Sequence, residues 1–339
     1  MSSRLNERKR DHLRILTEDP ESDRRKFYFD QIKLKHRALP EIDRSNVDTQ
    51  TEFMGKTLSF PLLISCMTGG VGEDLRKINR NLAIAAETTG VAMGLGSQRV
   101  MLADGAARHS FMVRPFAPHA LLFGNLGAVQ LNNGIRPDDC RTLVEETGVD
   151  ALCLHLNPLQ EAVQPEGDTD FSNLADRIAE IVEALAVPVI VKEVGAGIGP
   201  EDAERLITAG VRFIDVAGAG GTSWSRIESH RDHTGCSSGV LFQDWGLPTP
   251  DALRLLHPYR TQATLIASGG IRSGIDMVKS LILGASLCGI ARPFIDRAAE
   301  SPESVIAFIA SLKDQFTTAM FLLGVENVSD LIDNPALLL

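Results

Sequence analysis

The segment from His155 to Asp168, HLNPLQEAVQPEGD, packs a histidine, an asparagine, two glutamines, two glutamates and an aspartate behind a short apolar run, Ala151 to Leu154. Such a run makes a buried strand, and burying that many polar groups beside it without partners is costly. The composition therefore predicts that they converge on a ligand or an ion. Two prolines, Pro158 and Pro165, stiffen the backbone that carries them. A solvated loop needs neither the prolines nor this density of amides and carboxylates.

Other polar or glycine-rich segments also follow short apolar runs. They include Met67-Thr68-Gly69-Gly70, Gly96-Ser97-Gln98-Arg99 and Gly124-Asn125-Leu126-Gly127. Further along come Lys192-Glu193, the run from Gly218 to Thr222-Ser223-Trp224, the run SGGIRSG from Ser268 to Gly274, and Ala291-Arg292-Pro293. In SGGIRSG the glycines let backbone N–H groups approach a phosphate, and the helix start behind them adds a favourable dipole. Lys192 ends a strand otherwise made of Val and Ile, so it needs an anionic or electron-rich partner. An ion pair with Glu193 or Asp215 is one reading; the favoured one is the pyrimidine edge of a flavin, whose anionic reduced ring a lysine stabilises. Asn125 and Thr222 stand where they can hydrogen-bond the same ring. Ser97, Gln98 and Arg99 suggest a second anion site, with Arg8, Lys9 and His12 as a lid. Glu161 suits Mg2+ carried in on a diphosphate, since magnesium takes one or two carboxylates plus substrate oxygens. Cys66 has no dedicated base nearby in sequence and reads as a small buried hydrophobe.

The elements that position these residues follow from the apolar pattern. Strands are predicted at Pro61–Ser65, Val91–Leu95, Ala120–Gly124, Asp150–Leu154, Pro188–Lys192, Arg212–Val216, Ala263–Ser268 and Ser286–Ile290. Most are continuous apolar runs, as expected for parallel strands covered on both faces. Helices are predicted at Glu73–Thr89, Phe171–Ala186, Pro200–Ala209 and Ser273–Leu283. Eight strand–helix steps of roughly thirty residues match a (β/α)8 TIM barrel. Residues 1–55 read as a helical and extended arm packed on the barrel of residues 56–339, and Arg231–Gly239 as a mobile polar loop. On this fold all the polar segments fall at the C-terminal ends of the strands, the active face of a barrel.

Bulk properties narrow the classes. A formal net charge of −10 over 339 residues argues against a nucleic-acid binder. Five scattered cysteines without a C-x-x-C fit a reducing compartment and no zinc framework. The charged start MSSRLNERKRDH lacks an apolar signal core, and no apolar run reads as a bilayer span. A cytoplasmic protein, not a membrane one, is expected.

Taken together, ERKRDHL, HRALPEID, MTGG, GSQR, GNLGAVQLN, HLNPLQEAVQPEGD, VKEVGAGI, DVAGAGGTSW, WGLPT and ASGGIRSG resemble type 2 isopentenyl-diphosphate isomerase, from about Arg8 to Arg292. The resemblance implies interconversion of isopentenyl and dimethylallyl diphosphates using FMN, NADPH to reduce it, and Mg2+. It places FMN on Met67, Thr68, Gly69, Ser97, Asn125, Lys192 and Thr222, and the FMN phosphate on Gly270, Ile271, Arg272, Ala291 and Arg292. The substrate diphosphate would meet Arg8, Lys9, His12, Ser97, Gln98, Arg99, His155, Asn157 and Gln160, with Glu161 on the metal. His155, Asn157, Gln160 and Lys192 would carry the catalysis. Where some members have a serine, this chain has Ala217. The resemblance also implies a cytoplasmic homo-oligomer, a tetramer or octamer. Moving the double bond needs a proton delivered to an unactivated alkene carbon, for which no side chain here is an obvious acid; reduced FMN, with Gln160 relaying a proton, fills that role. The rival is another FMN barrel. A hydroxy-acid oxidase needs a histidine base near the seventh strand's end, where ASGGIRSG has none, and a nucleotide dehydrogenase needs a cysteine where GAGGTSWSR stands.

Overall fold

The computed structural model describes residues 8, 11, 12, 14–26, 28–67, 69–231 and 238–339. Eight short, almost wholly buried strands close into a parallel barrel in chain order. They are β1 (Leu62–Ile64), β2 (Ala92–Gly94), β3 (Leu122–Gly127), β4 (Ala151–His155), β5 (Val189–Lys192), β6 (Phe213–Asp215), β7 (Thr264–Ser268) and β8 (Ala285–Ile290). Each overlaps a strand expected from the apolar runs. The strand that departs most is β3, which continues to Gly127. Its last residues, Asn125 to Gly127, pair with Cys153 to His155 of β4. Glycine and asparagine read as turn formers in isolation, but a parallel neighbour supplies the ladder that keeps them extended.

Amphipathic helices cover the outside. They include α1 (Glu73–Thr89), α2 (Arg99–Ala103), α3 (Pro137–Thr147), α4 (Pro158–Val163), α5 (Leu174–Ala184), α6 (Pro200–Thr208), α7 (Trp224–Ser229), α8 (Thr249–Leu256), α9 (Gly274–Ile282), α10 (Ile295–Glu300) and α11 (Pro302–Leu323). By length and composition α11 could cross a membrane, which corrects the expectation that no such run exists. Here its stripe of Val305, Ile309, Leu312, Phe316 and Met320 is buried, and the helix packs against α1 and α9. A repeat of three and four residues is what a core-facing helix requires.

At the N-terminal end of the strands, an antiparallel hairpin (Thr51–Phe53 with Lys56–Leu58) closes the barrel floor. Phe53 packs on Phe123 and Phe213, and this plug joins Leu63, Ala92, Cys153 and Ile190 in a second core inside the barrel. The arm before the hairpin runs along the barrel. Asp23 bridges Thr222 beside the sixth strand's loop, Leu34 bridges Leu338, and Asp48 bridges Asn327. With the floor sealed, the opposite mouth remains open.

Candidate active site

Strand periodicity sets the floor of this mouth. In β5, Ile190 belongs to the inner core, so Lys192 two residues later also faces inward. Registry puts His155, Lys192 and Asp215 side by side across β4, β5 and β6. Lys192 is buried; its Nζ donates to the Glu193 carbonyl at 2.5 Å and lies 3.9 Å from Asp215 Oδ2. Burial, the largest single influence, acts to lower the Lys192 pKa, but Asp215 together with Cys66, Cys153 and Glu193 raises it on balance. The barrel mouth therefore holds a fixed cation. Asp215 is oriented by the Ser268 hydroxyl, which donates to Oδ1 at 2.7 Å. Glu193 is not the side-chain partner. Its Oε2 instead accepts N–H bonds from Val194 and Gly195 at 2.6 Å, from Gly197 at 3.2 Å, and from Ala196.

One side of the mouth is a cradle of backbone. Gly269 and Gly270 have φ of 95° and 78°, and a Cβ on them would stand 2.0 Å from the Gly218 oxygen and 2.9 Å from the Gly220 carbon. Only glycine allows this approach of the β6 and β7 loops. Helix α9 begins just beyond, its Ser273 hydroxyl accepting from the Asp276 N–H at 3.2 Å. Arg272 and Arg292 flank the cradle, and both also hold the arm. Arg272 donates to the two Asp23 oxygens at 2.8 and 2.7 Å; Arg292 donates to Ser22 Oγ at 2.7 Å and to the Leu16 carbonyl at 2.6 Å. Bare backbone, a helix start and two guanidiniums fit a phosphate monoester such as that of FMN.

The opposite side is built by the loop after β4. Arg99 donates to Asp168 Oδ2 at 2.9 Å, and Gln130 donates to the same oxygen at 3.0 Å. His155 Nδ1 meets Asn125 Oδ1 at 2.7 Å. Helix α4 begins with Pro158, and its first turn aims Gln160 and Glu161 back at Asn157, whose Nδ2 donates to both at 3.1 and 2.9 Å. Glu161 also accepts from the Asp168 N–H at 2.7 Å and from Gln164; burial pushes its pKa up. Among the described residues no cluster of three or more His, Cys, Asp or Glu could hold a metal. A single carboxylate beside the buried, unpartnered Asn157 Oδ1 and Gln164 Oε1 is an all-oxygen set. It suits a hard cation that brings most of its own ligands.

Gln160 and His12 meet at a residue that sequence reading missed. Glu228, fully buried on α7, accepts from Gln160 Nε2 at 2.7 Å and contacts His12 Nε2 at 2.9 Å. Burial opposes its ionisation, but His12, Arg231 and Gln160 together lower its pKa to about 2. Trp224 stands edge-on to the His12 ring at 5.1 Å.

The cradle and the loop after β4 face each other across one cavity of about 1680 Å3, its open mouth included. Its wall holds Arg8, His12, Met67, Ser97, Arg99, Asn125, His155, Asn157, Gln160, Glu161, Lys192, Thr222, Gly270, Ile271, Arg272, Ala291 and Arg292, as expected from sequence. Two of the expected residues do not line that wall. Gln98 is fully buried behind the wall, where its Oε1 accepts from the Asn125 N–H at 2.9 Å and is not free for substrate. Gly69 is off the wall too; a Cβ there would stand 2.2 Å from Phe111, so its smallness serves packing. Lys9 and Thr68 lie outside the described residues. Besides Glu228, sequence reading gave no role to Gln130, Asp168 or Asp23. Asp168 alone carried a signal, as the last polar residue of the conspicuous loop.

The pattern of the FMN-dependent dehydrogenase family matches residues 1–115 and 138–338. The isopentenyl-diphosphate delta-isomerase of Hydrogenovibrio crunogenus is 51% identical over 338 residues, covering 99% of this chain and 98% of that one. That of Paracoccus zeaxanthinifaciens is 53% identical over 336 residues, covering 98% and 96%. Among solved structures, a mandelate oxidase variant superposes with a TM-score of 0.62 at 19% identity, covering 91% of this chain and 88% of that one. A flavocytochrome b2 variant gives 0.65 at 21%, covering 91% and 76%. At such identity these two share the fold alone.

Proposed function

The chain belongs to the FMN-dependent dehydrogenase family, among its isopentenyl-diphosphate delta-isomerases, and we propose from that premise how its cavity interconverts isopentenyl and dimethylallyl diphosphates. The observation that carries the reading is a single cavity with a glycine cradle at one side and an Arg99–His155–Asn157 cluster at the other. FMN fits the first: its phosphate on Gly270, Ile271, Arg272, Ala291 and Arg292, its ring held by Met67, Ser97, Asn125, Lys192 and Thr222. When bound and reduced, FMN supplies the acid–base group for the alkene carbon, without net oxidation.

The chain's own residues do the rest. Lys192, whose charge Asp215, Cys66, Cys153 and Glu193 together favour against its burial, stabilises negative charge at the barrel mouth. Arg8, His12, Ser97, Arg99, His155 and Asn157 bind the diphosphate, and Glu161 binds the Mg2+ that accompanies it. Gln160, fixed between Asn157 and Glu228, passes a proton at the hydrocarbon end. NADPH serves only as reductant. A homo-oligomer, tetramer or octamer, in the cytoplasm completes the proposal, with neither nucleic acid nor membrane as partner.

A hydroxy-acid oxidation, as the fold relatives' names suggest, finds no support in the wall after β7. Ser268 to Arg272 form it, and the histidines on the cavity, among the described residues, are His12 and His155. Anaerobic assays that omit FMN, NADPH or Mg2+ one at a time test the cofactor set. Each omission should abolish or strongly slow formation of dimethylallyl diphosphate. Full activity without Mg2+ would remove Glu161 from the metal role; light scattering of the purified protein gives the oligomer order.

A further inference from the structure

Glu228 divides its oxygens among three neighbours. Oε1 accepts from Gln160 and contacts His12; Oε2 accepts from Arg231 Nη1 at 2.6 Å. The same guanidinium donates through Nη2 to Glu166 Oε1 at 2.5 Å, and its Nε lies 3.9 Å from Asp11 Oδ2. Arg231 thus joins the segment of α7, the far end of the loop after β4 and the N-terminal arm, without itself standing on the cavity wall.

The consequence for Gln160 follows from amide chemistry. A carboxylate can only accept, so ionised Glu228 takes the NH2 end of the Gln160 amide and leaves its oxygen toward Asn157. A protonated Glu228 could donate instead, and the amide could turn over, exchanging carbonyl for NH2 beside the substrate. Among the described residues, the groups in contact with Glu228 are the Arg231 guanidinium, the His12 ring from the arm and the Gln160 amide; Asp11 and Glu166 lie on the far side of Arg231.

Building on the isomerase reading, we propose that Arg231 is a positioning residue for the isomerisation. It holds the Glu228 carboxylate and the Glu166 end of the loop in place, and through Glu228 it fixes which end of the Gln160 amide serves the reaction. Without it, Glu228 keeps its burial and loses the guanidinium that donates to Oε2, which favours the protonated form.

The test uses FMN-loaded, reduced enzyme carrying Arg231→Met or Arg231→Lys. For each, kcat and KM for isopentenyl diphosphate are measured across pH, with FMN affinity measured by flavin fluorescence. Arg231→Met should lose about tenfold or more in kcat, the scale of one charge-assisted contact. Its KM and FMN affinity should stay close to those of the unaltered enzyme, and its kcat should fall at a higher pH on the acid side. Arg231→Lys should recover most of the loss. An unchanged kcat in Arg231→Met overturns the proposal, as does a loss accompanied by weakened FMN binding and an unmoved acid limb. If Arg231→Met does not fold, Arg231→Gln, polar but uncharged, takes its place with the same expectations. Absence of dimethylallyl diphosphate from the unaltered enzyme would instead sink the isomerase reading.

Discussion

At the residue scale, each polar contact around the cavity implies a measurable cost when removed. Arg99→Ala should weaken diphosphate binding by roughly 1.5–3 kcal/mol, about ten- to a hundredfold. The same change frees Asp168, which would retain Gln130 as donor. Titration with the diphosphate checks it; an unchanged affinity removes Arg99 from the site. Glu161→Gln should weaken the Mg2+ dependence of the reaction while FMN stays bound. Flavin release on that substitution would make Glu161 a structural residue. Most residues that line the cavity were legible in the sequence because polar groups at strand ends stand out against apolar runs. Their supports were not. Glu228 and Arg231 sit in a helix of mixed polarity and its exit, and only the fold turns that acidic side chain inward beneath Gln160. Gln98 misled for the same reason: its neighbours Ser97 and Arg99 face the cavity, whereas its own amide ties the backbone of β3.

At the scale of elements, the β6 and β7 loops are the most demanding part of the fold. Gly269→Ala would force a Cβ to within 2.0 Å of the Gly218 oxygen at a φ of 95°. Both the clash and the backbone conformation oppose it. The variant should lose FMN affinity by at least about tenfold or fail to fold, read by equilibrium dialysis and thermal melting. Wild-type affinity in a folded variant would remove the cradle from phosphate binding. Strand positions were readable because continuous apolar runs of that length have few alternatives. Strand ends were not, since Asn125 and Gly127 extend β3 only because β4 pairs with them. The apolar stripe of α11 was overlooked for a related reason: its burial depends on α1 and α9, far away in sequence.

At the scale of the whole molecule, charge ties the arm to the barrel. Arg226 and His230, against some burial, hold Asp19 at about 2, and Arg272 grips Asp23. Glu228, also at about 2, anchors His12. Asp19 and Glu228 lie below their ordinary values of 3.8 and 4.5 in the folded chain. The stability they contribute is therefore complete above about pH 4.5 and is lost as pH falls toward 2. Urea midpoints should drop between about pH 4.5 and pH 2, and Asp19→Asn should lessen that drop. A midpoint equally acid-sensitive in the variant would leave Asp19 no part in it. The arm could be read from sequence as charged and extended, but its partners could not, because each ion pair spans about two hundred residues or more, as from Asp23 to Arg272. The central claim, acid–base isomerisation on reduced FMN in this cavity, is tested most directly in D2O. Purified protein is incubated anaerobically with FMN, NADPH, Mg2+ and isopentenyl diphosphate, and the product is analysed by mass spectrometry. The expected result is dimethylallyl diphosphate carrying deuterium, formed only when the flavin is reduced. Product without deuterium, or formed equally with oxidised flavin, would contradict it.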